Sequence, residues 1–178
     1  MSFPSLFVAS AMKNEKGEPE GTAKFSLVML FDAAAQATPE FAKLKDLAKA
    51  AAADKWGPDY KKKMQNLRNP IRDGLEKEHL EGYGAGVLFT SASTMSKPGI
   101  VDGRRQPVTD VAEVYPGRRA RATVTAFAYD KKGNRGVAFS LHNVQLLTGG
   151  DSLAGRARAQ DDFEDADEAW ESEDGDDF

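Results

Sequence analysis

Apolar and polar positions alternate most regularly between Arg118 and Leu147. Arg119, Arg121, Thr123, Thr125, Phe127 and Tyr129 fall on one face of a period-two strand, and Ala120, Ala122, Val124, Ala126 and Ala128 on the other. The run Lys131-Lys132-Gly133-Asn134-Arg135-Gly136 supplies the glycines and the Asn that a hairpin turn accepts, together with three cations. The return strand sets Val137, Phe139 and Leu141 against Ala138, Ser140 and His142. One face of the first strand is small and apolar and suits inward packing. The opposite face carries guanidinium groups, hydroxyls and aromatic rings in a row.

The same reading places strands over 3–12 and 22–32, joined by a polar turn over 14–21. Within 22–32, Phe25, Leu27, Met29 and Phe31 share a face while Val28 and Leu30 keep the other apolar, the pattern of a central strand covered on both sides. Thr38-Pro39-Glu40 opens a helix, with Thr as N-cap, Pro at the first helical position and an acid near the positive end of the dipole. Phe41, Leu44, Leu47, Ala48 and Ala51 form its apolar stripe, and Gly57-Pro58 stops it. Tyr60, Met64 and Leu67 predict a second, shorter helix that ends at Asn69-Pro70. Residues 73–86 and 98–107 read as loops, 87–91 as a strand, and 111–115 as the approach to the hairpin. Strands, a helical insertion and more strands, without regular β-α alternation, predict a mainly β fold: an antiparallel barrel with a helical insertion between its early and late strands.

Charge changes the picture because it is segregated. The 178 residues carry a net charge of −4, but eleven of the 28 acids lie in 161–178, which holds no base. Residues 1–160 therefore hold 24 basic and 17 acidic residues, a net of +7. The organisation read from this is a nucleic-acid-binding body over 1–150, a linker over 151–160 and an acidic tail over 161–178. The tail has too few apolar residues and too much like charge to fold alone, so it is expected to be disordered. Its aromatics, Phe163, Trp170 and Phe178, stand isolated among acids. No run of roughly 20 apolar residues is present and the start lacks a signal-peptide pattern, so the expectation is a soluble, cytoplasmic protein that does not engage membranes. Without cysteine there are no disulfides or thiolate zinc sites.

Cations interleaved with rings on a β surface suit a single-stranded nucleic acid, cations following phosphates and rings stacking on bases. Phe127 and Tyr129 are the first candidates for stacking, with Tyr115 and Phe139 behind them. Arg119 and Arg121 lead the phosphate contacts, followed by Lys131, Lys132 and Arg135 on the turn, and Arg68, Arg72, Arg104, Arg105 and Arg118 complete the cationic set. The alternative is an ordinary barrel strand with core rings and solvated arginines. Gly82-Tyr83-Gly84-Ala85-Gly86 precedes a strand and lacks a phosphate-loop ending, so it reads as a loop edging a groove. Asp73, Glu76 and Glu78 near His79 lack a second histidine at ligand spacing and read as solvated charge. No nucleophile motif, paired carboxylates or cofactor signature is found, and the protein is expected not to be an enzyme. The tail reads either as a solubility device or as a tethered polyanion that competes for the groove and, once displaced, offers Phe178 to other proteins. The rival to DNA binding is an acidic-tailed adaptor or DNA mimic.

Asn69-Pro70-Ile71-Arg72-Asp73-Gly74, Val114-Tyr115-Pro116-Gly117, Arg121-Ala122-Thr123-Val124-Thr125 and the run from Gly136 to Gln145, in that order, resemble the phage single-stranded-DNA-binding protein family. The sequence departs from the family pattern at His142, where an Asn is usual, and at Leu75, where an acid is usual. The resemblance implies an OB fold, sequence-tolerant binding of single-stranded DNA in replication, recombination or repair, and a tail that recruits replication proteins such as DNA polymerase. It implies no cofactor, and a homodimer is compatible with it.

Overall fold

The computed structural model describes residues 1–14, 16–60, 62, 67–131 and 133–153. One mixed sheet organises them. Its strands are β1 (Ser2–Lys13), β2 (Pro19–Phe31), β3 (Arg72–Asp73), β4 (Leu88–Thr94), β5 (Gly99–Val101), β6 (Ala120–Lys131) and β7 (Asn134–Leu146), and its helices are α1 (Ala33–Gln36) and α2 (Pro39–Trp56). The order is β1-β2-β4-β7-β5, with β3 beside β4 and β6 beside β7. The hairpins β1/β2 and β6/β7 are antiparallel, whereas β4 and β5 both run parallel to β7. The mainly β fold with its helical insertion is as expected, but the sheet is mixed where an antiparallel barrel was expected, because the chain reaches β7 from β4 by long crossovers. Among the described residues it is not closed by a ladder. At the gap, the Gly117 N–H donates to the Met1 carbonyl at 2.8 Å, which draws the start of β1 to the approach to β6.

The helical insertion forms as its capping signals dictate. The Thr38 hydroxyl accepts from the Phe41 N–H at 3.3 Å, and Gly57 ends the helix at φ 79°, a left-handed conformation that only Gly adopts freely. Phe41, Leu44, Ala48 and Ala52 turn inward, and the Phe31 and Phe41 rings meet at 4.8 Å between centroids. Leu47, expected in the stripe, is 45% exposed. The inward face of β6 is nearly all alanine, which lets the Ala-rich helix approach closely; larger side chains from Val137, Phe139, Leu141, Val144 and Leu146 of β7 fill the space beside it. Of the second predicted helix, Tyr60 is buried in this core and Leu67 is half-buried, while Met64 lies outside the described residues.

Strand β2 lies between β1 and β4, as its two apolar faces predicted. Leu27 is buried in the core, and Leu30, of opposite parity, lies beside Gly82, as does Leu153. The start of the predicted linker is therefore packed: the Leu153 N–H donates to the Pro116 carbonyl at 2.9 Å. Residues 154–178, with Phe163, Trp170 and Phe178, lie outside the described residues, as does Lys132.

Candidate nucleic-acid interface

The pleat of β6 separates its side chains as the alternation requires. Ala120, Ala122, Val124, Ala126 and Ala128 pack on the core, while Arg121, Thr123, Thr125 and Phe127 are exposed and Tyr129 is half-exposed. Phe127 keeps 47% of its surface in solvent. Opposite this outer row β7 places Gln145 beside Arg121, Asn143 beside Thr123, Ser140 beside Thr125, Ala138 beside Phe127 and Gly136 beside Tyr129. From Arg121 to Tyr129 the row extends about 26 Å at ~3.3 Å per residue.

A β-bulge refines the middle of the row. The register slips between Thr123 and Val124, so His142 and Asn143 both face outward in succession. His142 Nε2 lies 2.7 Å from Thr125 Oγ1, and the Asn143 N–H donates to Thr123 Oγ1 at 3.1 Å. A continuous band of small polar groups results between two cationic ends.

At the first end stand Arg119 and Arg121, both exposed, with the loop of Arg104 and Arg105 beside them. That loop is held by Asp102, whose Oδ1 accepts from the N–H groups of Arg104 and Gln106 at 2.8 Å each, and whose carbonyl accepts from Gln145 Nε2 at 3.1 Å. Because Gln145 is the cross-strand partner of Arg121, the tether brings the 104–105 guanidinium groups to the same end of the face.

At the other end the face deepens into a groove of about 530 Å³ lined by Arg68, Asn69, Pro70, Arg72, Glu76, Ser91, Tyr129, Val137 and Ala138. Gly136 makes this groove possible. The segment at Arg68 bridges β7 there, and a Cβ on Gly136 would lie 2.8 Å from both the Arg68 carbonyl and the Tyr129 hydroxyl. Arg72 hydrogen-bonds Glu76 through Nε at 2.8 Å and also through Nη2, and its guanidinium lies 5.0 Å from the centre of the Phe89 ring. The arginine holds the Glu76 carboxyl below the ordinary carboxylate range. Glu76, read from the sequence as solvated, is exposed and also engages a cation of the groove. Lys131 and Arg135 flank this end, and Arg135 pairs with Asp130 at 2.9 Å.

Three expectations are corrected. Phe139 is 2% exposed and points between Val137 and Leu141 into the core, so it offers no surface for stacking. Its strand parity, the same as that of two aliphatic residues, already carried this signal. Tyr115 serves the seam between 115–118 and 149–153: its hydroxyl donates to the Gly150 carbonyl at 3.0 Å and Arg118 lies over its ring at 5.6 Å. Arg118 is itself largely enclosed and pairs with Glu113 at 3.4 Å, so it belongs to that seam too. Sequence reading missed Asn69, Ser91, Asn143 and Gln145, whose place on the face depends on long-range strand pairing.

A face built in this way, with cations at both ends, hydrogen-bonding groups between them and exposed rings beside a groove, has the chemistry to hold an unpaired polynucleotide. The comparisons agree in fold. The structure of the single-stranded DNA-binding protein from bacteriophage Enc34 with a C-terminal truncation superposes with a TM-score of 0.64 at 16% identity, covering 85% of this chain and 82% of that one. The same phage protein in complex with ssDNA gives 0.61 at 17% identity over the same shares. Protein p50 of Acyrthosiphon pisum secondary endosymbiont phage 1 is 33% identical over 181 residues, covering 97% of this chain and 93% of that protein. The family described as Enterobacter phage Enc34, ssDNA-binding protein, matches residues 1–176. The chain therefore belongs to the Enc34-type family of phage single-stranded-DNA-binding proteins.

Proposed function

We propose that this protein binds single-stranded DNA without strong sequence preference and without a chemical step, on the outer face of β6 and β7, in phage DNA replication, recombination or repair in the host cytoplasm. The observation that carries the reading is the division of β6: every inward residue from Ala120 to Ala128 packs on the core, while the outward row presents Arg121, two threonines, Phe127 and Tyr129. Phosphates would run between the two cationic ends, and Phe127 and Tyr129 would stack on bases. Exposed rings and hydroxyls tolerate any base, which favours coating over readout. The complex of the Enc34 protein with ssDNA supports the class of ligand.

The acidic tail acts in the same reading as an intramolecular competitor and as a recruiter of replication proteins, polymerase included. Leu153, the last described residue, sits against Gly82, beside which Leu30 also lies. The 25 residues that follow have a contour of at most about 90 Å, enough to reach either end of the face. The test is a salt titration of oligothymidylate binding by the full-length protein and by a form lacking 161–178. With about four to six phosphate contacts, affinity should fall ~50- to 300-fold between about 50 and about 200 mM salt. The tail-less form should bind more tightly. Failure of both forms to bind DNA would overturn the reading and leave the adaptor.

A further inference from the structure

Beyond the groove, the outer face carries a second set of rings that the β6–β7 reading leaves unused. Phe3 is 53% exposed and has φ 44°, a left-handed conformation that a bulky side chain adopts only when its surroundings impose it. The β1/β2 register shifts between Ser2 and Ser5, so Phe3 escapes the inward-outward alternation of its strand. Its ring lies 5.9 Å from the Lys77 ammonium, which also stands 5.7 Å from the Tyr83 ring and 5.2 Å from the Phe89 ring. Phe89 and Tyr83 meet edge-on at 5.3 Å. Phe89 is 3% exposed and forms the floor, and half-buried Tyr83, edge-on to it, forms part of the wall, its hydroxyl pushed up in pKa by that burial. Phe3 is the one ring of these three left half in solvent.

This cluster is continuous with the groove. Arg72, which lines the groove, lies over the same Phe89 ring that Lys77 covers from its other neighbours, and Glu76 of the groove adjoins Lys77 in the chain. Tyr129 and Phe3 are separated by four strand steps, from β6 through β7, β4 and β2 to β1, or ~19 Å along the sheet. A ring half in water beside an ammonium offers one stacking surface with one phosphate partner, the chemistry that binding a single strand requires. A strained backbone that turns a phenyl ring outward makes little sense as packing, since the ring forfeits half of its burial.

We infer that Phe3 and Lys77 form a second subsite for single-stranded DNA, reached by a strand that leaves the Tyr129 groove and crosses β4 and β2. The inference rests on the β6–β7 reading of the preceding section and adds a direction to it. Phe3 stacks on a base, Lys77 neutralises the adjoining phosphate, and a short oligonucleotide held between Arg121 and Tyr129 does not reach either.

The test compares oligothymidylates of about 5 and about 20 nucleotides, inside and beyond the span of one such face, by fluorescence anisotropy with full-length protein. Phe3→Gly removes the ring at a backbone angle that glycine accepts, and Phe3→Tyr restores a ring. Phe3→Gly should weaken the long oligonucleotide ~5- to 100-fold and leave the short one unchanged, with Phe3→Tyr close to wild type. Lys77→Gln should lower the salt slope for the long oligonucleotide by about 0.7 to 1. If Phe3→Gly and Lys77→Gln bind both lengths as wild type while Phe127→Ala is weakened, the second subsite is overturned and the β6–β7 reading stands. If Phe127→Ala is also unaffected, the underlying reading fails first. Equal losses at both lengths, or a Phe3→Tyr as weak as Phe3→Gly, would likewise overturn the subsite. Should Phe3→Gly lower the melting temperature, the salt slope of Lys77→Gln decides by itself.

Discussion

Replacing Phe127 by Ala separates a stacking ring from a packing ring. A phenylalanine fully enclosed in a core costs about 3 to 5 kcal/mol when cut to Ala. Phe127 keeps 47% of its surface in solvent and faces only Ala138 across the strand pair, so the stability cost should be about 1 to 1.5 kcal/mol. For a body of this size that is a fall in melting temperature of ~2 to 6 °C. Loss of one stacked base should cost about 1 to 3 kcal/mol of binding, a factor of ~5 to 150 in Kd. Phe139→Ala supplies the contrast: its ring is 2% exposed, and the same truncation should remove a large part of a total stability of about 5 to 15 kcal/mol. The assay pairs calorimetric melting with anisotropy of a labelled oligothymidylate at fixed salt. The expected pattern is weak binding with near-normal melting for Phe127→Ala, and early melting for Phe139→Ala. Unchanged affinity in Phe127→Ala, or a drop in melting temperature matching that of Phe139→Ala, would refute the assignment of Phe127 to the DNA face.

Other outcomes follow from individual contacts. Glu76→Gln releases Arg72 from its carboxylate partner, and DNA affinity should rise with a salt slope steeper by about 0.7, read from the same titration. The pair also sets a pH direction: Glu76 has its folded pKa depressed below the ordinary 4.5, so its small contribution to stability is present above that value and is lost as the pH falls through the folded one. Melting curves of wild type and Glu76→Gln should therefore converge at acid pH and separate slightly above about pH 5. Gly136→Ala places a methyl group 2.8 Å from the Arg68 carbonyl and the Tyr129 hydroxyl, and it should cost about 1 to 3 kcal/mol in denaturant unfolding while weakening DNA binding through the displaced Tyr129. Asp102→Ala unties the loop of Arg104 and Arg105, and should weaken oligonucleotide binding severalfold with little effect on melting.

What the sequence made legible was local. The division of β6 follows from strict period two with alanine at every other position but one, and α2 follows from Thr38-Pro39-Glu40 at one end and Gly57-Pro58 at the other. Strand β5 was read as loop because three residues are too few to display alternation; only its pairing with β7 makes it a strand. The parallel pairings of β4 and β5 with β7, and the bridge from Arg68 to Gly136, join positions far apart in the chain and leave no periodic trace. The position and lining of the groove are not legible for that reason, although Arg68, Arg72 and Tyr129 are each candidates from the sequence. Tyr115 misled because an aromatic between turn residues looks the same whether it lines a groove or fastens a seam. Phe3 went unremarked because its importance lies in a backbone angle, which no residue pattern encodes.

The most direct measurement is amide chemical-shift mapping of the isotope-labelled protein as oligothymidylate is added. The β6–β7 account predicts that the largest shifts fall on Arg121, Thr123, Thr125, Phe127 and Tyr129, on His142 and Asn143 across the bulge, and on Arg68 and Arg72 around the groove, with α2 nearly silent. Shifts concentrated on α2, or spread without regard to which face of β6 a residue occupies, would contradict it.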